Sequence, residues 1–435
     1  MKVQENIGLI TWSVADKCLF IIYGIVSLIQ MRYAEPSELG LYALLMNLHT
    51  WILVVTDSFA LQNIIQFGAR EEDRPKVNTL GIVLQFIIIF IVCLTLFILQ
   101  QPLSVFFKEP RLVEVAAFLP VIALLFIPRS LCIKFMYRDH QMKKLFFSNL
   151  AFFGTMTVIT VVLISKYHNL SFENLFFIYV SGTLIGSLYI IIISRDKLRF
   201  AFKGPFQLKK IIKFSLPLTL TSGFNFVPKQ LDVFLIQYFF STSVVGVYYA
   251  AKNLFRVFEE ALNAANGLVY PASVRFISKD DKQSLHELMT KSVSFLLFTF
   301  FITVVILEAG AGSFIIKLFL PIKYHFAIEQ FNLLLVGACF IPFFILPSII
   351  NASGRPILIL GFVIVAVIMS FITFVIVGIS GNENLIPLGS IVYTASLGIM
   401  CFIYVNRKYD FKTREIFRAF KDSINYLKKY LKTKH

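Results

Sequence analysis

Cationic and acidic side chains occur inside long apolar runs of this sequence, where an ionisable group costs at least about 2.5 kcal/mol and is by default a functional candidate. Five are cations that could bind a phosphate or pyrophosphate through charge-assisted hydrogen bonds: Lys17, Arg129, Lys229, Lys252 and Arg256. Five are carboxylates that could serve coupling or gating by taking up protons or Na⁺: Asp16, Asp57, Asp232, Glu259 and Glu260. Together they predict a cationic site for a polyanionic headgroup at membrane depth.

Helical spacing places most of these residues on three polar faces. One face, within about 40° of a single line, comprises Lys252, Arg256, Glu259, Asn263 and Asn266, with Glu260 at its edge. A second comprises Ser222, Asn225, Lys229 and Asp232. A third comprises Ser13, Asp16, Tyr23, Ser27 and Gln30, with Lys17 one step round. The apolar run that carries this second face contains Pro217, Gly223 and Pro228. These residues predict an interrupted helix of the kind that lines cavities.

Some of the acidic residues also have purely structural interpretations. Glu259 and Glu260 follow Arg256 by three and four residues, so both are equally well interpreted as its ion-pair partners on one helix. Asp57 lies near the inner end of its apolar run and is either a gate residue or a capping residue. The sequence leaves these alternatives open.

The apolar runs make up an unusual share of the chain. Of its 435 residues, 57% are hydrophobic and 15% are charged, whereas soluble domains average about 45–50% and about 25%. This composition excludes a water-soluble enzyme. Runs of roughly 20 apolar residues, the helix length that crosses about 30 Å of hydrocarbon, recur along the whole sequence. The sequence therefore predicts an all-α, polytopic membrane protein.

Twelve apolar runs, bounded by Gly, Pro and charged residues, are candidate membrane-spanning helices. Their approximate limits are residues 6–30, 40–63, 79–100, 114–136, 146–165, 175–194, 214–238, 244–268, 292–310, 329–349, 358–378 and 387–405. With the amino terminus inside, 29 of the 41 Lys and Arg residues lie on the inner side and 6 lie outside. The positive-inside rule then predicts that both termini are cytoplasmic.

This topology accounts for the net charge of +16 without a nucleic-acid partner. The richest basic segments are a linker at 195–213 and a tail at 406–435, and the tail is predicted to form an amphipathic helix on the anionic inner leaflet, in contact with membrane lipids. The five cysteines lie in apolar runs without a Cys-x-x-Cys pattern. Neither a metal site nor a disulfide framework is predicted.

An internal repeat relates the two halves of the chain. At an offset of 206 residues, the start of the second run matches the start of the eighth in four positions: Gly40, Tyr42, Asn47 and Leu48 correspond to Gly246, Tyr248, Asn253 and Leu254. At an offset of 214, Phe126-Ile-Pro128 matches Phe340-Ile-Pro342. Because each half has an even number of spans, the pseudo-symmetry axis should lie along the membrane normal.

The repeat predicts two pseudo-symmetric six-helix lobes with a cavity between them. The expected domains are an amino-terminal lobe at 1–194, the basic linker at 195–213, a carboxy-terminal lobe at 214–405 and the basic tail at 406–435. Arg129 should line the cavity, because the repeat has Phe343 in its place and symmetrical packing does not account for it. Lys134 and Arg138 lie near the inner end of the same run and are expected to extend to lipid headgroups.

Four stretches of the chain resemble the polysaccharide-export flippases, the lipid-linked oligosaccharide (O-antigen) translocases of the multidrug/oligosaccharidyl-lipid/polysaccharide exporter superfamily. They are Glu38–Tyr42, Asp57–Arg70 (DSFALQNIIQFGAR), Asp232–Leu254 and Phe314–Pro356 with its Ala-Ser-Gly-Arg-Pro turn. Residue 59 is Phe where the family often has Gly. The resemblance covers essentially the whole chain.

The resemblance implies twelve helices in two lobes around a central cationic cavity that opens alternately to each side. It also implies a non-enzymatic function: movement of an undecaprenyl-pyrophosphate-linked oligosaccharide repeat unit outward across a bacterial inner membrane. No cofactor is expected, and the acidic residues could couple transport to H⁺ or Na⁺. A glycan polymerase or assembly protein is a candidate partner.

Three alternatives remain open. A multidrug exporter of the same superfamily would share the frame, but its site for organic cations should be dominated by acidic and aromatic residues. A glycan polymerase or ligase should have a large outer loop, whereas the longest predicted outer loop has about 18 residues. A flippase for the peptidoglycan precursor would more often carry two further carboxy-terminal helices.

Overall fold

The structure is a computed structural model that describes residues 3–68, 70–203 and 207–409, together with residues 414, 415, 418 and 421. For residues 3–10, 14, 221, 224, 225, 227–229 and 356 it describes the backbone alone. This chain is nearly all helical, and within the described ranges β geometry is confined to one isolated bridge between Ala34 and Leu170. The predicted all-α class is confirmed. Most of the predicted tail, from residue 410 onward, lies outside the described residues.

The first compact unit comprises Met1–Phe226 and Phe240–Val247. Seven helices lie wholly within it: α1 (Val3–Tyr33), α2 (Pro36–Thr56), α3 (Gln62–Phe67), α4 (Arg74–Phe106), α5 (Leu112–Arg138), α6 (Met142–Tyr167) and α7 (Phe172–Ile193). Between α2 and α3, a π-helical turn at Asp57–Leu61 keeps the helical path continuous from Pro36 to Phe67.

The second compact unit comprises Val227–Phe239 and Tyr248–His435. Six helices lie within it: α10 (Lys282–Ile306), α11 (Gly312–Phe319), α12 (Phe326–Ala338), α13 (Ile345–Ala352), α14 (Pro356–Ser380) and α15 (Leu388–Tyr409). Helices α8 (Leu208–Phe239) and α9 (Thr242–Ser278) each contribute residues to both units.

The helices account for the predicted membrane spans. In the described part of the chain, nine helical segments are long and apolar enough to cross a membrane, or ten if α12 and α13, bent by 52°, form one span. Helices α8 and α9 coincide with the predicted seventh and eighth spans, and their polar faces lower their mean hydropathy. Ten of the twelve predicted runs thus contain a described segment that could cross a membrane, and α8 and α9 occupy the other two runs.

Two predicted features of helix continuity differ from the structure. The interruption of the seventh span is wrong, because α8 is continuous through Pro217 and Pro228; neighbouring groups in a membrane protein can satisfy the backbone atoms that proline frees. The repeated Phe-Ile-Pro motif also behaves differently in its two copies. α5 continues through Pro128, whereas a 3₁₀ turn at Ile341–Phe344 breaks the path between α12 and α13 at Pro342.

The basic linker packs against the start of α4. Asn78 Nδ2 donates to the carbonyl of Arg199 at 3.1 Å, and the Ala201 N–H donates to Thr79 Oγ1 at 2.9 Å. These bonds hold Lys197 where it also binds the carboxylate of Asp139 at the end of α5. The described part of the linker before residue 204 therefore packs within the first unit.

The same carboxylate binds Arg138, so the prediction that Arg138 extends to lipid headgroups is wrong. Its side chain is 5% exposed and its Nε lies 3.0 Å from Asp139 Oδ1. Burial by itself would raise the pKa of Asp139, but hydrogen bonds from Arg138 and Lys197 outweigh burial and lower that pKa to about 2. A carboxylate one residue beyond the helix end provides a closer partner than the membrane surface.

Candidate functional site

A buried carboxylate, Asp232 on α8, is the centre of a polar cluster in the second unit. Its side chain is 1% exposed. Lys252 Nζ donates to Asp232 Oδ2 at 2.5 Å, and the Tyr248 hydroxyl donates to the same oxygen at 2.8 Å. The Tyr248 oxygen lies 2.8 Å from Ser390 Oγ on α15 and accepts a hydrogen bond from it. The cluster therefore joins α8, α9 and α15.

Helix geometry explains why two residues of α9 reach one carboxylate. Tyr248 and Lys252 are four residues apart, so their side chains project from adjacent turns of the same face. A carboxylate in an apolar interior needs a counter-charge and hydrogen-bond donors to offset its lost hydration. Lys252 supplies the charge and Tyr248 a neutral donor. The Lys252 side chain remains 25% exposed.

A cavity of about 70 Å³ adjoins this cluster within the second unit. Its polar lining consists of Asp232, Tyr248, Lys252, Glu259, Asn263, Ser390, Tyr393 and Thr394. Three of the five residues predicted to share one face of α9 therefore line one space. The cavity has room for a few water molecules or a small cation, but it is too small for an oligosaccharide headgroup.

The other residues of the predicted α9 face have local partners. Arg256 Nε lies 3.5 Å from Glu260 Oε1, four residues later, and the Arg256 side chain is 51% exposed. Asn266 Oδ1 accepts a hydrogen bond from Ser348 Oγ at 2.9 Å. Of the two alternatives for the paired glutamates, Glu260 is the ion-pair partner and Glu259 faces the cavity.

In the first unit, Arg129 and Asp16 are joined through an amide. Arg129 is 3% exposed, and its Nη2 donates to Asn149 Oδ1 at 2.5 Å. Asn149 Nδ2 in turn donates to Asp16 Oδ1 at 2.5 Å. The guanidinium also lies 4.3 Å from the ring centroid of Phe152. This relay connects α5, α6 and α1. Through it the Asp16 carboxylate stabilises the buried Arg129 cation across one intervening side chain, Asn149.

Asp57 lies in the π-helical turn after α2 and binds Lys134 of α5. Lys134 Nζ is 2.6 Å from Asp57 Oδ1, and Gln62 Nε2 donates to Asp57 Oδ2 at 2.9 Å. The expectation that Lys134 extends to headgroups is therefore wrong: its side chain is 11% exposed. An ion pair between neighbouring helices satisfies both charges inside the unit.

The remaining predicted cations are Lys17 and Lys229. Lys17 on α1 is exposed. The side chain of Lys229 on α8 lies outside the described part of the structure. The structure thus brings the predicted charges together in four local groups: Asp16 with Arg129, Asp57 with Lys134, Asp232 with Lys252 and Glu259, and Arg256 with Glu260.

Comparison with known families decides the classification. Residues 10–277 match the family described as "Polysaccharide biosynthesis protein". The chain belongs to this family. No curated protein sequence matches it.

Solved structures show that this polysaccharide biosynthesis family member has the fold of the MOP superfamily. A multidrug resistance MATE family transporter in an inward-facing conformation has a TM-score of 0.73 at 13% identity, covering 92% of this chain and 94% of that one. The lipid II flippase MurJ, in an inward closed conformation, has a TM-score of 0.70 at 13% identity, covering 98% and 93%. A MOP superfamily transporter from Pyrococcus furiosus has a TM-score of 0.56 at 14% identity, covering 93% of each chain.

Three residues of these polar groups were not predicted from the sequence of this family member: Asn149, Tyr248 and Ser390. Asn149, which links Arg129 to Asp16, is an amide inside an apolar run, and its position was the available signal. Tyr248 was recognised only as a residue of the repeat. Ser390 carries no signal, because isolated serines occur throughout membrane helices. Within the described residues, no group of three or more His, Cys, Asp or Glu residues is placed to hold a metal ion.

Proposed function

We propose that this chain is a flippase that moves an undecaprenyl-pyrophosphate-linked oligosaccharide repeat unit from the cytoplasmic to the outer leaflet of a bacterial inner membrane, by alternating access. Its product would serve the synthesis of an O-antigen-like surface polysaccharide. The observation that carries the proposal is the pair of cations on α9, Lys252 and Arg256, in a predicted membrane span of a chain of the polysaccharide biosynthesis family. Both termini would be cytoplasmic, in keeping with the 29 inner and 6 outer basic residues.

The exposure of the cations suggests different roles for them. Arg256 and Lys17 are exposed and would contact the pyrophosphate first. Lys252 would exchange Asp232 for a phosphate oxygen, because a dianionic headgroup attracts the ammonium more strongly than one carboxylate does. Arg129 is bound to Ser148 and Asn149, so it would support the site from within the first unit. Lys229 would be a further phosphate ligand.

The acidic residues would couple binding to a cation or a proton. When Lys252 leaves Asp232, the buried carboxylate loses its counter-charge and would take up H⁺ or Na⁺. Glu259 faces the same cavity and would be a second acceptor. Asp16, Asp57 and Glu260 are held by Asn149, Lys134 and Arg256 and would act as gating groups whose pairings change with conformation.

Deletion of the gene in its host tests the proposal. We expect loss of surface polysaccharide, with an undecaprenyl-linked repeat unit accumulating in inner-membrane extracts. Complementation with Arg256→Ala or Lys229→Ala should fail at normal protein level, because the pyrophosphate loses a charge-assisted hydrogen bond of about 1.5–3 kcal/mol. Lys291→Ala is the matched control, since Lys291 is an exposed helical cation paired with Glu287. Unchanged surface glycan after deletion would overturn the proposal.

A multidrug exporter is the second candidate. The cavity of the second unit is lined by two carboxylates, Asp232 and Glu259, beside the aromatic rings of Tyr248, Phe255 and Phe344, a combination that suits the charged group of an organic cation. The same deletion strain distinguishes the two functions. Increased susceptibility to lipophilic cations with normal glycan would support the exporter and contradict the flippase.

A further inference from the structure

The glycines of the internal repeat meet at one end of the first unit. A Cβ atom on Gly40 would overlap the backbone carbonyl of Thr242, and a Cβ atom on Gly246 would overlap the carbonyl of Pro36. Residues 240–247 belong to the first unit, so both contacts lie within it. Helices α2 and α9 can approach this closely only because both positions lack a side chain.

The contact is reciprocal in detail. Pro36 and Thr242 are the first residues of α2 and α9, and each glycine is the fifth residue of its helix. Each glycine Cα lies against the carbonyl of the first residue of the other helix. The same offset of 206 residues relates both members of the pair. The repeated motif therefore has a structural role that its sequence spacing alone does not show.

A loop between α4 and α5 braces both helix starts. The Thr242 hydroxyl donates to Glu109 Oε2, and Glu109 Oε1 accepts from the Arg111 N–H at 3.2 Å. The Arg111 guanidinium binds Glu38, near the start of α2, at 2.6 Å. The hydrogen bond to Glu38 raises the pKa of Arg111 above its usual value, so this brace stays charged. One loop thus binds α2 by an ion pair and α9 by a single hydroxyl.

We propose that Pro36, Gly40, Glu109, Thr242 and Gly246 form an outer clasp that holds the start of α9 on α2 and opens to release the transported headgroup to the outer leaflet. This inference rests on the proposed function and on the orientation that the basic residues predict. Two properties of the clasp suit a contact that opens and closes. Its backbone contacts are of the Cα–H···O kind, which are individually weak, and α9 passes from the first unit to the second directly after Val247.

Cysteine labelling tests the clasp. Val245 is fully buried beside Gly246, so Val245→Cys, in a chain whose five native cysteines are alanine, should react slowly with a membrane-impermeant maleimide added outside. Gly40→Ala and Gly246→Ala should each raise the labelling rate about tenfold, which corresponds to about 1.4 kcal/mol and lies within the usual range for overpacking. Gly154→Ala on α6 is the matched control, because a Cβ atom there would point into open space, with no described atom outside its own helix segment within 4 Å.

A milder pair of variants covers the case in which an alanine at the contact prevents folding. Thr242→Val removes the hydroxyl that binds Glu109 and keeps the shape, and it should also increase labelling of Val245→Cys. Thr373→Val removes a hydroxyl that donates to the Met369 carbonyl of the same helix, α14, and should leave labelling unchanged. Equal labelling in Gly40→Ala, Gly154→Ala and Thr242→Val would overturn the clasp. Because labelling needs no substrate, that result is separate from a failure of the glycan assay.

Discussion

Replacing Lys252 with methionine should destabilise the second unit, because it leaves the Asp232 carboxylate without its ammonium partner. Breaking a buried ion pair from one side typically costs about 3–5 kcal/mol. Here the Lys252 side chain is 25% exposed, and Asp232 keeps hydrogen bonds from the Tyr248 hydroxyl and the Val233 N–H. We therefore expect the lower value of about 2–3 kcal/mol in the free energy of unfolding.

The double variant Lys252→Met with Asp232→Asn separates charge from packing. Asparagine keeps the volume of Asp232 and an acceptor for the Tyr248 hydroxyl, while the unpaired charge disappears. The double variant should be more stable than Lys252→Met, with a coupling energy of about 1.5–2 kcal/mol. Denaturant unfolding of the purified protein in detergent measures all four members of the cycle. Export in the deletion strain, measured in parallel, should not recover in the double variant if the pair takes part in transport.

An exposed pair provides the control for this cycle. Lys291 and Glu287 are four residues apart, and both side chains are 60% exposed, so Lys291→Met with Glu287→Gln should give a coupling energy below about 0.5 kcal/mol. A Lys252→Met variant as stable as the parent, or additive losses in the double variant, would contradict a stabilising ion pair between Lys252 and Asp232. Recovery of both stability and export would assign the pair a structural role alone.

Three further predictions follow from the other charge groups. Arg129→Lys should lower thermal stability because an ammonium cannot bind Ser148 and Asn149 with the spacing of a guanidinium, and Asn149→Leu should lower it similarly. Thermal melting of the purified protein in detergent measures both effects. An unchanged melting temperature would contradict the relay. Lys134→Ala should reduce the free energy of unfolding by about 1 kcal/mol and should reduce export. Lys134→Arg, which keeps a cation at this position, should retain the stability and export of the parent. Lys166→Ala, at an exposed lysine, should change neither. The pKa of Asp139 is lowered from 3.8 to about 2, so its contribution of about 2 kcal/mol is present above pH 4 and is lost as the pH falls towards 2. Asp139→Asn should therefore be less stable at pH 7, and pH-dependent unfolding should show the difference vanish near pH 2.

The sequence predicted which segments are helical and which residues share a helix face, but not which residues of other helices they contact. Hydrophobic length and turn residues predicted twelve segments, and ten of them contain a described segment long and apolar enough to span a membrane, because burial of apolar surface in a bilayer depends on local composition. The face of α9 was recognised from periodicity, and Lys252, Glu259 and Asn263 do line one cavity. Periodicity says which residues share a face, but it does not say what another helix places opposite that face.

Lys134 illustrates why the partners could not be inferred. From the sequence it was expected to reach the headgroups, because a long side chain near a helix end can do so. In the structure Asp57 of a different helix lies 2.6 Å away, and this partner satisfies the charge within the protein. Asn149 is a similar case, since its role depends on its position between Arg129 and Asp16 rather than on any property of its own segment.

By itself the sequence determined that the protein is an all-α membrane protein, and it predicted a twelve-segment plan, a basic inner side and an internal repeat, because each of these depends on composition, length or spacing along one chain. The tertiary structure alone decided which charges pair, which ones face a cavity and what the repeated glycines contact. The reason is physical: a buried charge is stabilised by groups within about 4 Å, and these groups, such as Asp232 for Lys252, come from segments that only helix packing brings together.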